Sequence, residues 1–491
     1  MRPRDAGPRG AHDRASVLGV SLPRRPFVAP SSLAAGAAGV LALGLLTGPA
    51  AVAEPSTPVT TIGVGGRPSG AAISPDGSTA YISNPGTGTI DIIDLEAGQL
   101  VQSIDVAAGV QPPVLNLAGT RLYATTQADA NLLIIDTAAG SVLSQVKVGT
   151  QPTAPVLSRN GKSLFIANTG SGDVSIIDVA SGTVTRTIPV GSRPLSPTQG
   201  TGSQYAPLDG LLFVTNAGDE TLSTIDLSTG QQVAEDGLGG SPTRAAVSPF
   251  LGVINDMVYV SDTSDGTVTI LDQERGGSAA TVRVGSRPST PVASVDGTAL
   301  FVANNGSDSV SVIDTERSPT RITTTIPVGD GPTTPLLSPN GRILFVPATS
   351  GSSITAIDTS TLRVRGTYLT GRNPVSPALS PDAKTLVVPN SGNGTVSIIN
   401  LTVQALPFPP RTVTITPKIG RATASWSLSN EAGVTGYVVT ALPGGQTCTS
   451  TGSRCTVTGL VKGKGYRFSV QAANGFGTGA ATVSNLIRIK R

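Results

Sequence analysis

Residues 148–178 read VGTQPTAPVLSRNGKSLFIANTGSGDVSIID, and variants of this phrase recur along most of the chain. Each copy has a Val-Gly turn followed by a proline, a short strand ending in Asn, and a strand ending in Ile-Asp. Turn sequences such as Asn-Gly separate runs in which apolar and β-branched residues alternate with polar ones. Four such runs in a unit of roughly 40 to 45 residues are typical of one blade of a β-propeller.

The phrase occurs eight times. The turn prolines are Pro68, Pro112, Pro152, Pro194, Pro242, Pro288, Pro332 and Pro374. The strands of the Ile-Asp type end at Asp94, Asp136, Asp178, Asp226, Asp272, Asp314, Asp358 and Asn400. Because these acidic and amide residues recur at one position, we interpret them as caps of the following turn and not as a ring of catalytic carboxylates.

The order of the strands predicts how the array closes. Residues 59–64 have the pattern of an outermost strand, whereas the last unit stops at Leu401 after its third strand. We therefore expect the N-terminal strand to complete the last blade, since only a closed ring covers both faces of every blade. The predicted fold is all-β, an eight-bladed β-propeller with a seven-bladed one as the alternative.

The strand Phe301-Val-Ala-Asn304, the Ser-Pro-Asp-Gly turn and the Gly-Thr-Val-Ser-Ile-Ile strand resemble the YVTN family of β-propeller repeats. The resemblance extends from residue 59 to about residue 403. It implies a propeller but no single activity, because propellers serve as enzymes, receptors and scaffolds.

The first 53 residues have the pattern of a secretory signal peptide. An arginine-rich segment precedes an apolar run over residues 31–46, and Ala51-Val-Ala53 is a small-residue cleavage signal. The pair Arg24-Arg25 resembles a twin-arginine export signal, with the general secretory route as the alternative. We expect a secreted or cell-envelope protein without a stable membrane anchor after cleavage.

Removal of the predicted signal peptide changes the net charge and the set of side chains available for catalysis or binding. The whole chain has a net charge of +3, but removal of residues 1–53 removes six Arg and two Asp, which leaves 28 basic and 29 acidic residues. A near-neutral protein of this kind gives no sign of nucleic-acid binding. The single histidine, His12, also lies in the signal peptide, so His-dependent triads, haem ligation and His-metal sites are excluded from the predicted mature protein.

A second, smaller domain follows the propeller. After the propeller domain (54–403) and a Pro-rich linker (404–410), residues 411–491 have the length and alternation of a small sandwich. This segment resembles a fibronectin type III domain, a likeness that implies a core role for Trp426 and a tyrosine corner at Tyr466. Cys448 and Cys455 are the only cysteines, and the exported context predicts a disulfide across a hairpin.

Four arginines are the candidate binding residues. Arg67, Arg193 and Arg287 stand immediately before turn prolines, and Arg244 lies two residues after Pro242. By analogy with other propellers these turns lie near the mouth of the central channel, so the arginines form a candidate rim for an anionic group. The alternative is that they are solvated and point away from one another.

The sequence therefore favours a non-enzymatic binding protein of the envelope or exterior. Its partner is an unidentified ligand or protein, and no cofactor or metal site is predicted, because no Asp-x-Asp-x-Asp-Gly calcium loop occurs. An extracellular propeller enzyme of the lyase or lactonase type and a structural surface protein are the two alternatives.

Overall fold

A computed structural model describes residues 59–201, 210–249, 257–272, 277–316, 320–402, 410, 412–427, 434–474 and 477–490. The predicted signal peptide (1–53) and nearly all of the predicted linker (404–410) lie outside these residues. No helix in the described ranges has the length and hydropathy needed to span a bilayer.

Eight four-stranded antiparallel sheets follow one another along the chain. The first sixteen strands are β1 (Val59–Gly63), β2 (Gly70–Ile73), β3 (Thr79–Asn84), β4 (Thr89–Asp94), β5 (Gln99–Asp105), β6 (Val114–Leu115), β7 (Arg121–Thr126), β8 (Asn131–Asp136), β9 (Ser141–Lys147), β10 (Val156–Leu157), β11 (Ser163–Asn168), β12 (Asp173–Asp178), β13 (Thr183–Pro189), β14 (Thr198–Gln199), β15 (Leu211–Asn216) and β16 (Thr221–Asp226). The next sixteen are β17 (Gln231–Gly237), β18 (Ala246–Val247), β19 (Met257–Asp262), β20 (Thr267–Asp272), β21 (Ser278–Arg283), β22 (Val292–Ala293), β23 (Ala299–Asn304), β24 (Ser309–Asp314), β25 (Arg321–Pro327), β26 (Leu336–Leu337), β27 (Ile343–Ala348), β28 (Ser353–Asp358), β29 (Arg363–Leu369), β30 (Ala378–Leu379), β31 (Thr385–Asn390) and β32 (Thr395–Asn400).

Blades 1 to 7 each contain four consecutive strands, from β2–β5 to β26–β29, and blade 8 has the strand order β1-β32-β31-β30. In every blade the second and third strands are buried, whereas the outermost strand is largely exposed. The eight-bladed prediction is confirmed, and the seven-bladed alternative is wrong.

The core consists of eight apolar clusters, one at each junction between consecutive blades. Between blades 3 and 4, for example, Phe165 and Ile176 pack with Leu212 and Val214. The cluster between blades 8 and 1 joins Val387 to Ile82, so the ring is closed. Burial of these apolar faces supplies the main favourable free energy of folding.

The N-terminal strand completes blade 8, as the strand order predicted. Strand β1 pairs antiparallel with β32 over its whole length, from Val59 opposite Ile399 to Gly63 opposite Thr395. Ile62 is the buried side chain of β1 and packs in the cluster that joins blades 8 and 1. A segment from one end of the propeller thereby holds the other end without a covalent bond.

One turn proline does not occupy the repeated position. The residue after the turn position donates its backbone N–H to the second strand of its own blade, as Thr153 does to the Ala167 carbonyl. In blade 2 this donor is Gln111, so Val110 and not Pro112 takes the place of Pro152. The sequence assignment of Pro112 is therefore wrong by two residues, because blade 2 has an extra Pro-Pro pair that masks the register.

The strand-end Asp residues cap turns, as predicted. The Asp94 carboxylate accepts backbone N–H bonds from Glu96 and Ala97, both at 2.9 Å. Asp136 and Asp358 accept the corresponding pairs of bonds in blades 2 and 7. These carboxylates satisfy turn amides and are not gathered into a site.

A second repeated turn, between the first and second strands, lies beside the strand-end turn, and the Leu95 backbone N–H donates to the Ser78 carbonyl at 2.8 Å. The Ser74 hydroxyl donates to the Asp76 carboxylate at 2.5 Å, and this bond with those from Ser78 lowers the pKa of Asp76 to about 2. The corresponding bonds from Ser294 and Ser380 lower the pKa of Asp296 and Asp382. In blades 3 and 7 the same acceptor position is held by an amide, and these residues are Asn160 and Asn340.

The C-terminal segment is a sandwich of two sheets. Its strands are β33 (Val413–Lys418), β34 (Arg421–Trp426), β35 (Gly436–Leu442), β36 (Thr447–Ser450), β37 (Arg454–Thr458), β38 (Gly465–Asn474), β39 (Gly477–Val483) and β40 (Ile487–Arg488). Trp426 is buried and contacts Tyr437, with ring centroids 5.2 Å apart. The Tyr466 hydroxyl accepts the Val461 backbone N–H at 3.2 Å, which is the tyrosine corner that the sequence predicted.

The predicted disulfide between Cys448 and Cys455 is present. The expected position across a hairpin is wrong, however, because β36 pairs with β35 whereas β37 pairs with β34. The bond therefore joins the two sheets of the sandwich at one end.

The closing strand is testable by truncating its buried side chain. We expect Ile62→Ala to lower the free energy of unfolding of the propeller by about 2–4 kcal/mol, since it leaves a cavity between blades 8 and 1. Thr61→Ala, an exposed change on the same strand, is the matched control and should cost less than about 0.5 kcal/mol. Equal shifts of the two denaturant unfolding curves would contradict the role assigned to β1.

The Ser-Asp turns predict how the free energy of unfolding changes at acidic pH. A carboxyl group whose pKa is lowered by folding stabilises the folded state above its unfolded pKa, near 4, and this stabilisation is lost as the pH falls toward 2. A variant with Asp76→Asn, Asp296→Asn and Asp382→Asn should keep its fold, since Asn serves in blades 3 and 7. Its unfolding free energy should fall less between pH 5 and pH 2 than that of the wild type.

The exposed change Asp105→Asn is the control for loss of a carboxylate outside these turns. If the triple variant has the same pH dependence as the wild type and this control, the stabilising role of the Ser-Asp turns is contradicted.

Candidate functional site

Two sets of loops meet on one side of the propeller, which we call the turn face. It contains the turns before the inner strands, such as residues 148–152, and the hairpins between the second and third strands, such as residues 168–172. The Thr169 backbone N–H donates to the Gln151 carbonyl at 3.0 Å, and equivalent bonds occur in other blades. These bonds fix each turn against the hairpin of the same blade.

The residue at the end of the second strand is buried in every blade, and it is an asparagine in blades 1, 3, 4, 6 and 8. Asn84 is fully buried, its amide NH2 donates to the Gly65 carbonyl at 3.1 Å, and its amide oxygen accepts the Arg67 backbone N–H at 2.9 Å. In blade 6 Asn304 accepts the Gly285 N–H and donates to the Ser311 hydroxyl. In blades 1 and 6 these amides hold the turn, whereas the amide oxygens of Asn168, Asn216 and Asn390 are buried without a hydrogen-bond partner among the described residues.

Arg67, Arg193 and Arg287 occupy one repeat position, directly before the proline, and all three are exposed. Arg193 and Arg287 both have φ of 52°, in the left-handed region, where Gln151 and Asn373 lie in their own blades. In blade 1 Gly65 and Gly66 take the positive φ values instead, as Gly239 and Gly240 do in blade 5. The three arginines thus extend from blades 1, 4 and 6, which are not adjacent.

The fourth predicted arginine is placed differently. Arg244 lies at the start of the inner strand of blade 5, at the repeat position that Gly70, Pro112 and Ala154 occupy. Its side chain is exposed, yet burial lowers the pKa of its guanidinium. Both observations fit a side chain that touches water inside a space enclosed by protein.

A cleft of about 570 Å³ opens on the turn face between blades 8, 1 and 2. We call it the Arg67 cleft. Its lining residues are Arg67, Ser69, Pro85, Gly86, Gly109, Gln111, Gln127, Val375, Ser376 and Ser391. Of the four predicted arginines it contains Arg67, whereas Arg193, Arg244 and Arg287 do not line it.

The charges around the cleft differ from those in blades 4, 5 and 7, whereas the turns of blades 3 and 6 are held by neutral groups, as in blade 1. Carboxylates hold the turns before the inner strands of blades 4, 5 and 7, through Asp219, Asp262 and Asp308 respectively. Neutral amides hold the corresponding turns of blades 1 and 8, through Asn84 and Asn393. The positive charge of Arg67 is therefore not neutralised by a carboxylate bound to its own turn.

The Arg67 guanidinium forms no hydrogen bond or ion pair with a described residue. By contrast, Arg186 in a second cleft of about 430 Å³ donates to the backbone carbonyls of Leu227 and Ser228. A guanidinium without a partner offers a planar pair of donors to a carboxylate or phosphate.

One residue that lines the cleft has a strained backbone conformation. Ser376 has φ of 38°, and none of the seven residues at the same repeat position in other blades has a positive φ. Non-glycine residues in this region cost of order 1–3 kcal/mol and are concentrated at binding sites. The strain is confined to the blade that faces Arg67 across the cleft.

Sequence reasoning missed the neutral part of this site. Gln111, Gln127, Ser376 and Ser391 come from blades 2 and 8, on either side of blade 1. Each is an ordinary polar loop residue in its own repeat, so no local pattern marks it. Arg372, exposed in the turn of blade 8, is a further arginine of this sector that was not singled out.

No group of three or more acidic or sulfur ligands suited to a metal ion occurs within the described ranges. The lining of the Arg67 cleft combines one cation with neutral hydroxyls and amides that donate and accept. Such a set suits an anionic ligand that carries hydroxyl groups.

Comparisons with known proteins agree with the two-domain organisation. Residues 408–486 match the family described as Fibronectin type III domain. Residues 51–281 match the family described as Outer membrane protein assembly factor BamB. The chain thus combines a β-propeller with a fibronectin type III domain.

The solved structure of Kuenenia stuttgartiensis Hydrazine Synthase is similar over 69% of this chain and 96% of that chain, with 20% identity and a TM-score of 0.46. No curated protein matches the sequence significantly.

The left-handed arginines can be neutralised without damage to the fold. We expect Arg193→Asn to change the free energy of unfolding by less than about 1 kcal/mol, because Asn373 has the same conformation at the equivalent position. Arg193→Val removes the same charge but places a β-branched residue at positive φ, and it should destabilise by more than about 1 kcal/mol. Equal losses for Asn and Val in denaturant unfolding would contradict the conformational explanation.

Proposed function

We propose that this chain is a non-catalytic binding protein of the cell envelope or exterior, and that the Arg67 cleft receives its ligand or an acidic group of a protein partner. The observation that carries the proposal is the unpaired, exposed Arg67 guanidinium in a cleft of about 570 Å³ with neutral polar walls. Of the four arginines of the sequence prediction, this site contains Arg67.

The dimensions and lining favour a small hydroxyl-rich anion, such as an acidic sugar. A cleft of this volume lies within the range of small-molecule sites. The guanidinium pairs with a carboxylate, and the amides of Gln111 and Gln127 with the hydroxyl of Ser391 match the mixed donors and acceptors of a sugar ring. The lining contains no aromatic side chain, so hydrogen bonds and charge supply the specificity.

The buried carboxylate nearest to this site favours binding over catalysis. Asp91 is 1% exposed and accepts bonds from the Asn84 amide, the Thr89 hydroxyl and the Ser103 hydroxyl. A general acid or base has to reach its substrate within hydrogen-bond distance, and Asp91 lies beneath Asn84 with both oxygens engaged. The propeller enzyme of lyase or lactonase type therefore stays the second candidate, without a described residue that favours it.

The location and the finer family assignment form part of the same proposal. We place the chain among proteins of the YVTN repeat family on the Tyr/Phe-Val-x-Asn strands, and we take residues 1–53 as a signal peptide, 54–403 as the propeller, 404–410 as a linker and 411–491 as the fibronectin-like domain. The sandwich disulfide is compatible with an oxidising compartment. The matched BamB family is described as an outer membrane assembly factor, which is in keeping with an envelope role.

The charge of Arg67 can be removed with a residue that the same loop already contains. Arg67→Ser reproduces the turn of blade 5, where Ser241 follows Gly239 and Gly240 with the same backbone conformation. We expect the variant to keep its thermal midpoint and to lose at least 10-fold in affinity, because a charge-assisted pair contributes roughly 1.5–3 kcal/mol. The measurement is calorimetric titration and thermal melting with a uronic acid disaccharide, its neutral counterpart, tripolyphosphate and soluble cell-wall fragments.

Arg193→Asn is the matched control, since it removes an arginine from the same turn face outside the cleft. Equal losses of affinity in the two variants would replace the cleft with a diffuse charge effect. If none of the probes binds the wild type, the small-ligand form of the proposal fails. Sedimentation of the full chain would then decide between a protein partner and the structural-array alternative.

A further inference from the structure

The inner strands of the propeller carry a single charge. Eight six-residue segments run from the turn into the inner strand of each blade: residues 69–74, 111–116, 153–158, 195–200, 243–248, 289–294, 333–338 and 375–380. All of them are described, and Arg244 is their only charged residue. The other side chains at its repeat position are small or neutral; these residues are Gly70, Pro112, Ala154, Ser196, Thr290, Thr334 and Ser376.

These residues form a ring around the axis. The inner strands of neighbouring blades contact one another, β2 with β6 and β30, and β18 with β14 and β22. At the repeat position itself, a Cβ built on Gly70 would lie 2.5 Å from the Pro112 Cβ, so the residues of blades 1 and 2 touch. Blade 5 is four blades from blade 1 in either direction, which places Arg244 across the axis from Gly70, the residue with no side chain.

Within the described ranges, Arg244 has no partner for its charge. Its guanidinium forms no ion pair or hydrogen bond with a described residue, although its backbone carbonyl accepts a bond from the Thr243 hydroxyl. The side chain is exposed to water while burial lowers its pKa, as expected for a channel wall.

The repeat shows that folding does not need this charge. Thr290 and Thr334 take the same place in blades 6 and 7, and the segments around them make the same backbone bonds to the second strand. The sequence of the scaffold therefore gives no structural reason for an arginine in blade 5. A single cation among otherwise neutral inner-strand segments is the arrangement of a ligand-binding group.

We propose that Arg244 is an anion-binding residue inside the central channel, separate from the Arg67 cleft, and that its ligand is a small oxyanion of the carboxylate or phosphate class. The guanidinium supplies paired donors, and the threonine and serine hydroxyls at the same ring position supply neutral ones. The two sites are independent, because Arg244 does not line the Arg67 cleft and the cleft does not include blade 5.

The test uses the full chain and the substitution Arg244→Thr, which copies blades 6 and 7. Thermal and denaturant unfolding are followed in inorganic phosphate, in citrate, and in sodium chloride at matched ionic strength. A phosphate or citrate concentration 100 times its dissociation constant should raise the folded-to-unfolded ratio of the wild type about 100-fold over chloride. The ratio for Arg244→Thr should change less than about 3-fold, and in chloride this variant should be at least as stable as the wild type.

Two further variants keep the proposal open to refutation. Arg244→Ala, which copies blade 3, replaces the threonine variant if that one does not fold, and Arg67→Ser should retain the full phosphate or citrate effect. The proposal is overturned if neither anion stabilises the wild type beyond chloride, or if the effect survives in Arg244→Thr. Loss of the effect in Arg67→Ser alone would assign the anion to the Arg67 cleft and would exclude the proposed site at Arg244.

Discussion

The covering of apolar sheet faces is the constraint on which the rest of this molecule depends. Each four-stranded blade has two apolar faces, and the eight interblade clusters cover all of them only when blade 8 meets blade 1. Strand β1 makes this last junction by pairing with β32, which places Ile62 between the two ends of the array. The closed ring then holds the loops of blades 8, 1 and 2 in one place, where the Arg67 cleft lies.

Within this ring, the residues that recur in every blade and the residues that differ between blades have different roles. Repeated groups such as the buried Asn84 and the Ser74–Asp76 pair satisfy the backbone and recur with small changes from blade to blade. Because these bonds fix the turns from beneath, the outward residues of the same turns are free to differ. Ser376 and Arg244 are departures of this kind, and each lies at a repeat position that otherwise holds neutral residues without positive φ.

Electrostatics separates arginines that look alike in the sequence. Arg67 and Arg193 have the same position in the repeat, but the turn of Arg193 is bound to the Asp219 carboxylate and the turn of Arg67 to the Asn84 amide. An opposite charge close by reduces the attraction of a guanidinium for an outside anion. The group that binds the backbone of the turn thus distinguishes Arg67 from Arg193, whereas the turn of Arg287 is bound by neutral groups and Arg287 differs from Arg67 by lying outside the cleft.

The sequence by itself determined the number of blades, the closing strand, the capping role of the strand-end Asp residues and the tyrosine corner at Tyr466, because each follows from contacts within a repeat or from a count of strands. It misplaced the turn of blade 2 at Pro112, where two adjacent prolines hid the register. Only the tertiary structure decided the cleft, since Ser391 approaches Arg67 through ring closure and Gln111 through the packing of blade 2 against blade 1. It also decided that Arg244 belongs to the channel, because the side on which an inner-strand residue lies is set by the packing of eight blades around one axis.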